Sequence, residues 1–251
     1  MHIQILGAHN SETLQTRLAC ILLDDVIAFD AGALTSTLTL PQQKRIKHLL
    51  ITHKHYDHVR DLLTLGVNTR RDGMSMIYSI EEVLKPIREF YINGQLYPDF
   101  TKVPDVVPKF SLVEVSEDEP FKVEEYEVNA IKIKHGVPAV GFLVKGDKKS
   151  IFFSGDCGGE LARSLHGQHI DVLFTDVTYS DASMDEAVRQ GHMTPAILAG
   201  QLLEFDPKPT KVVAMHMLPT QQVQIKKEIS VFTDTTGMDI SLGREGQIIE
   251  V

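Results

Sequence analysis

Six consecutive residues, His53-Lys54-His55-Tyr56-Asp57-His58, constrain this chain more than any other segment. They follow the run Lys47–Thr52, which reads as a short buried strand. They lead into Asp57–Leu65, where Val59, Leu62, Leu63 and Leu65 recur at helical spacing. Three imidazoles and a carboxylate in so short a stretch are the donors that zinc and related divalent ions take. His53 and His55, two apart in extended chain, project to the same side. Asp57 and His58 are neighbours at a helix start and diverge by roughly 100°. The second pair is therefore better placed to serve a second ion than to complete the first. The end of a buried strand is also where α/β proteins gather their ligands.

Further donors are expected at later strand ends, and three residues qualify. His135 closes Ile131–Lys134, Asp156 closes Ile151–Gly155, and His216 closes Val212–Met215. A lone histidine is ordinarily a surface or satisfied core residue. Three matched positions beside the cluster mark donors instead. His2, His9, His48, His166 and His169 follow no such pattern and read as structural.

The 251 residues, 43% hydrophobic and 24% charged, suffice for one large core, so a single domain over 1–251 is expected. Strand-like runs occur at Ile3–Leu6, Leu18–Leu23, Val26–Phe29, Met74–Tyr78, Ser111–Val115, Tyr126–Lys134, Ala139–Val144, Ser150–Phe153, Ile170–Thr175 and Gln247–Val251. Helices are expected at Ile80–Phe90 (disturbed by Pro86), at Pro195–Phe205 behind Thr194, and at Thr220–Ile229. Residues 92–110 carry Gly94, Pro98, Pro104 and Pro108 and read as an irregular insertion. Strands at both ends with mixed connections predict an α/β chain of two sheets flanked by helices.

A net charge of -9 argues against nucleic acid as a partner, since neutralising phosphates dominates that affinity. Cys20 and Cys157 read as free thiols of a reducing compartment, Cys157 as packing. The amino-terminal residues lack a basic region and a small-residue cleavage site, and no apolar run spans a membrane. A cytoplasmic protein is expected.

The H-x-H-x-D-H motif, the later His135, the strand-borne Ser154-Gly155-Asp156 and the final His216 together resemble the metallo-β-lactamase superfamily over nearly the whole chain. Within it, Ser79–Phe100 and Gly191-His192-Met193-Thr194-Pro195 are similar to segments of the class II cyclic-nucleotide phosphodiesterases. Three departures stand out: Tyr97 where that family usually has Trp, Cys157 where many members have Thr, and Met217-Leu218 where the phosphodiesterases tend to carry Lys. The resemblance implies a four-layer αβ/βα sandwich of two mixed β-sheets and two divalent ions, zinc with manganese or iron as alternatives. It places His53, His55 and His135 on the first ion and Asp57, His58 and His216 on the second, with Asp156 bridging. Asp30 would orient a ligand imidazole; as a bland alternative it is a turn aspartate bonded to its own backbone. The catalytic set it implies is Asp57, His192 facing the scissile phosphate and Asp176 orienting His192, against a plain helix-start histidine. The implied reaction is hydrolysis of a small-molecule phosphodiester, a 3′,5′-cyclic nucleotide, to the 5′-monophosphate. A tRNA 3′-processing endonuclease of the ribonuclease Z kind is the runner-up. A thioester or lactone hydrolase follows, and a non-catalytic metal-stabilised module comes last. The resemblance also implies a homodimer.

Overall fold

The computed structural model describes residues 1–117 and 119–251. Its strands are β1 (His2–Gly7), β2 (Cys20–Leu23), β3 (Ile27–Phe29), β4 (His48–Leu50), β5 (Ser75–Ser79), β6 (Phe110–Glu114), β7 (Phe121–Val123), β8 (Tyr126–Lys132), β9 (Val140–Lys145), β10 (Ser150–Phe153), β11 (Val172–Asp176), β12 (Lys211–Met215), β13 (Ile240–Leu242) and β14 (Ile248–Glu250). Among the described residues they form two seven-stranded sheets, ordered β14-β1-β2-β3-β4-β5-β6 and β13-β12-β11-β10-β9-β8-β7. Each sheet is mixed: β3 to β6 run parallel in the first and β10 to β13 in the second, and the other neighbours are antiparallel.

The parallel strands β4, β10 and β11 are buried along their whole length, as strands covered on both faces must be. One face of each is covered by the opposite sheet, as Phe29 of β3 and Phe153 of β10 meet with ring centroids 5.6 Å apart. Helices cover the outer faces, giving the expected αβ/βα sandwich. In chain order they are α1 (Leu34–Thr37), α2 (Leu40–Gln43), α3 (Tyr56–Val59), α4 (Leu62–Thr69), α5 (Glu81–Pro86), α6 (Leu161–Ser164), α7 (Met184–Gln190), α8 (Pro195–Glu204) and α9 (Gln222–Thr236). A single cluster of buried apolar side chains runs through both halves. Among the described residues no helix is long and apolar enough to cross a membrane.

Several elements differ from the sequence reading. The helix expected over Asp57–Leu65 divides into α3 and α4, because the Asp61 amide donates to the Ala31 carbonyl at 2.8 Å instead of completing a helical turn. Past Pro86 the helix widens into a π-turn, Ile87–Tyr91, closed by Ile92 N–H on the Ile87 carbonyl at 2.7 Å. Proline has no N–H and crowds the carbonyl four residues back, and the wider turn accommodates both. The last helix continues to Thr236, and α7 is an additional helix with only Ala187 buried. Strands β7 and β13, three residues each, are edge strands too short for a periodic signal.

Candidate metal centre

The site residues leave the carboxyl ends of strands in both sheets. Asp30 follows β3, and Thr52 and His53 lie just beyond β4; His135, Asp156 and His216 follow β8, β10 and β12, while Asp176 ends β11. Two of these turns are strained. Asp30 (φ 58°) and His216 (φ 62°) occupy the left-handed region that non-glycine residues avoid. Gly155 sits at φ 58° beside Thr52, where a Cβ would lie 2.5 Å from the Thr52 hydroxyl, so only glycine fits ahead of Asp156.

The seven expected donors converge. His53 Nε2 lies 3.0 Å from His55 Nδ1, which lies 3.3 Å from His135 Nε2. Asp156 Oδ2 closes this group at 3.4 Å from His53 and 3.8 Å from His135. The other oxygen, Oδ1, lies 3.1 Å from His58 Nε2 and 3.2 Å from His216 Nε2; Asp57 Oδ2 lies 3.5 Å and 3.1 Å from the same two nitrogens. Asp156 therefore offers one oxygen to each group.

These spacings suit divalent ions. Donors about 2.1 Å from a tetrahedral ion stand roughly 3.4 Å apart. His58 Nε2 and Asp156 Oδ1 are buried and have no hydrogen-bond partner, a costly arrangement that a cation between the donors would relieve. Burial, reinforced by His58, pulls His53 down to about 3, so this imidazole is neutral. Asp156, Asp30 and Asp57 instead overcome burial and raise His58 well above the ordinary histidine range, so His58 would release its Nε2 proton on taking up an ion. Burial would raise Asp57 and Asp156, but the surrounding histidines outweigh it and hold both carboxyls below the usual carboxylate range.

Behind the donors, a second layer fixes the ring nitrogens. His53 Nδ1 donates to Thr52 Oγ1 at 3.0 Å, and that hydroxyl donates to Asp30. His58 Nδ1 donates to Asp30 Oδ2 at 2.7 Å. His216 Nδ1 donates to Thr178 Oγ1, which donates to Asp176 Oδ1, both at 2.8 Å. His135 Nδ1 donates to the Gly191 carbonyl at 2.9 Å. Each bond keeps the proton on the far nitrogen and turns the Nε2 lone pair toward the cluster. Asp30 thus contacts a donor histidine as the resemblance implied, in addition to accepting from the Thr52 amide. Sequence reasoning missed Thr52 and Thr178. An aspartate two residues before a threonine is an ordinary turn pattern and carries no signal of its own.

His192 lies beside both groups, its ring centroid 5.2 Å from His135 and 5.3 Å from His216, with which it stacks. Its Nδ1 donates to Asp176 Oδ2 at 2.6 Å. Burial would lower His192, but the charge and hydrogen bond of Asp176 outweigh it and push the imidazole up to about 9. Thr194 caps α8 immediately after it, with Pro195 in the first turn.

The residues read as structural stay outside the cluster. His48 bridges Tyr78 and Glu124 at 3.1 and 2.9 Å, and His9 pairs with Glu245 at 2.6 Å. Burial raises the Cys157 thiol, whose sulfur accepts from the Gly159 amide. A cavity of about 740 Å³ adjoins His135.

Comparison with known proteins places this geometry in context. The chain is 31% identical over 136 residues to Ribonuclease Z of Pyrococcus horikoshii, covering 51% of this chain and 41% of that protein. Across the curated relatives compared, the matched regions span at most half of the relative's length. The structure of unliganded yeast PDE1 superposes with a TM-score of 0.80 at 16% identity, covering 100% of this chain and 99% of that one. Zinc-bound PqqB from Methylobacterium extorquens superposes with a TM-score of 0.75 at 17% identity, covering 100% of both chains. At such identities these two likenesses establish the fold. The family model described as the beta-lactamase superfamily domain matches residues 20–217, from β2 past His216, and so takes in every donor of the cluster. The chain belongs to the beta-lactamase superfamily.

Proposed function

We propose that this protein is a phosphodiester hydrolase dependent on two divalent ions, with a 3′,5′-cyclic nucleotide as substrate and the 5′-monophosphate as product. The observation that carries this reading is the His192–Asp176 pair, hydrogen-bonded at 2.6 Å and set against a seven-donor cluster. His53, His55 and His135 would hold one ion and Asp57, His58 and His216 the other, with Asp156 shared. Zinc suits the donor set. When bound, such ions lower the pKa of water and take up charge from phosphoryl oxygens.

The chain's own residues supply the rest. A phosphodiester gains negative charge on its equatorial oxygens as a nucleophile arrives, and a cationic imidazole beside them stabilises that charge. Asp176 keeps His192 protonated at Nδ1, and the imidazolium donates to the phosphate or to the departing 3′-oxygen. The amino-terminal end of α8, next to His192, adds a favourable partial charge. Asp57, whose side chain is 27% exposed, is placed to accept the proton of the attacking water.

A tRNA 3′-processing nuclease is the second reading, favoured by the Ribonuclease Z relatives and opposed by the net charge of -9. The deciding experiment is an activity panel on protein loaded with zinc or manganese: cyclic AMP, cyclic GMP, a 2′,3′-cyclic nucleotide, precursor tRNA and a glutathione thioester. Turnover of the 3′,5′-cyclic nucleotides is expected; preference for precursor tRNA would establish the second reading, and turnover of the thioester alone would exclude both. His192→Ala should keep both ions while kcat falls roughly 10²–10⁴-fold, the usual worth of a positioned acid–base group. His216→Ala should lose one ion. Equal metal loss in the two variants would make His192 a ligand and overturn its role as donor. The expected homodimer is checked by light scattering.

A further inference from the structure

The donor cluster is open on one side. The side chains of His53, His58, His135, Asp156 and His216 are at most 5% exposed, whereas Asp57 is 27% exposed and His55 is half-buried. Tyr56 stands between those two accessible donors and is 64% exposed. Its backbone therefore joins the two accessible donors, and its ring is exposed beside them in the chain.

The Tyr56 ring is held in place. It meets Tyr91 edge to face, with centroids 6.4 Å apart and planes at 86°. The Tyr91 hydroxyl donates to the Arg60 carbonyl at 2.6 Å, fixing that ring in turn. Tyr91 ends the π-turn Ile87–Tyr91 that follows Pro86. An edge-to-face contact uses at most one face of either ring, so Tyr56 keeps a face open to solvent. The cavity beside His135 sets Lys132, Lys134 and Arg163 against Glu82, Glu117 and Glu160, and among the described residues His135 is the only aromatic ring in its lining.

We propose that Tyr56 is the stacking surface for the nucleobase of a nucleoside phosphodiester whose phosphate lies at the donor cluster. The inference rests on the phosphodiesterase reading and specifies which part of the substrate gives it affinity. Every base has a π-face, so a stack of this kind tolerates purines and pyrimidines alike, and removing it weakens binding roughly 5- to 150-fold.

The test compares two esters with the same leaving group, thymidine 5′-(p-nitrophenyl phosphate) and methyl p-nitrophenyl phosphate, on the metal-loaded protein. The wild type should show a lower KM for the nucleoside ester. In Tyr56→Ala the ratio of the two KM values should collapse toward one, Tyr56→Phe should keep it, and Phe90→Ala, which removes an exposed ring from the π-turn that carries Tyr91, should leave it at the wild-type value. Calorimetry gives a readout independent of turnover: Tyr56→Ala should weaken adenosine 5′-monophosphate and leave ribose 5-phosphate, which has no base, at its wild-type affinity. Hydrolysis of neither ester by the wild type would overturn the phosphodiesterase reading and this inference with it. Hydrolysis of both with equal KM, or equal weakening of both calorimetric ligands, would overturn the stacking role alone.

Discussion

Thr178 is the residue whose importance is least visible in one dimension and clearest in three. Its amide and hydroxyl both donate to Asp176 Oδ1 at 2.8 Å, a local bond that any Asp-x-Thr turn can make. The same hydroxyl accepts from His216, 38 residues further on. Thr178→Val keeps the shape but leaves His216 Nδ1 without an acceptor, so the ring loses its fixed tautomer. Affinity for the second ion should fall ~10- to 100-fold, read by titration against a competing chelator, with little change in the first. An unchanged affinity would reduce Thr178 to a turn residue. The contrast with the donors explains what the sequence could reveal. Histidine and aspartate at strand ends are chemically scarce and share a topological position, so His53 through His216 could be singled out. Threonines behind them are common, and their partners are distant in the chain.

At the level of elements, what could be read depended on length and burial. β4, β10 and β11 are buried along their whole length and built around apolar runs, and α8 carries its own start signal in Thr194-Pro195. β7 and β13 are three-residue edges, and α9 buries only Ile225 and Ile229, so its last turns have no apolar period to declare them. The junction of β5 and β6 holds a less expected element. Lys109, one residue before β6, is 1% exposed, and its amine donates to the Gly73 carbonyl and the Ser75 hydroxyl at 3.1 and 2.9 Å. Burial pulls this amine down to about 8, with Asp72 offsetting part of the effect. Between about 8 and the ordinary lysine value near 10.4, the unfolded chain binds more protons than the folded one, so this group makes stability rise with pH in that window. His192, whose value is raised, acts in the opposite sense between its ordinary value and about 9. The difference in Tm between Lys109→Met and wild type isolates the lysine. The variant's advantage should be largest below pH 8 and shrink by a few degrees toward pH 10. A difference that does not vary with pH would show that the amine stays charged in the folded state.

Across the whole molecule the cluster joins the two sheets. The motif 53–58 comes from the first sheet, and His135, Asp156 and His216 from the second, so bound ions tie one half to the other. Ligands that bind the folded state stabilise it by about 2.7 kcal/mol each at 100 times their Kd. At about 2–4 °C per kcal/mol for a chain of this size, chelation should lower Tm by roughly 5–10 °C for each ion removed, and readdition of zinc should restore it. A chelator-insensitive Tm would mean that the sheets hold together without help from the cluster. The spread of donors along the chain also bears on how the protein comes into being. Four are present once residue 58 has been made, yet the contact between Asp57 and His216 spans 159 positions. During synthesis the early donors emerge clustered and able to take up metal before their true companions exist. In the proposed two-ion arrangement, a growing chain that has not reached His216 would at best load the His53–His55–His135 side, so an ion acquired early would be held by an unfinished set, and the finished pair would belong to the late stages of the protein's assembly.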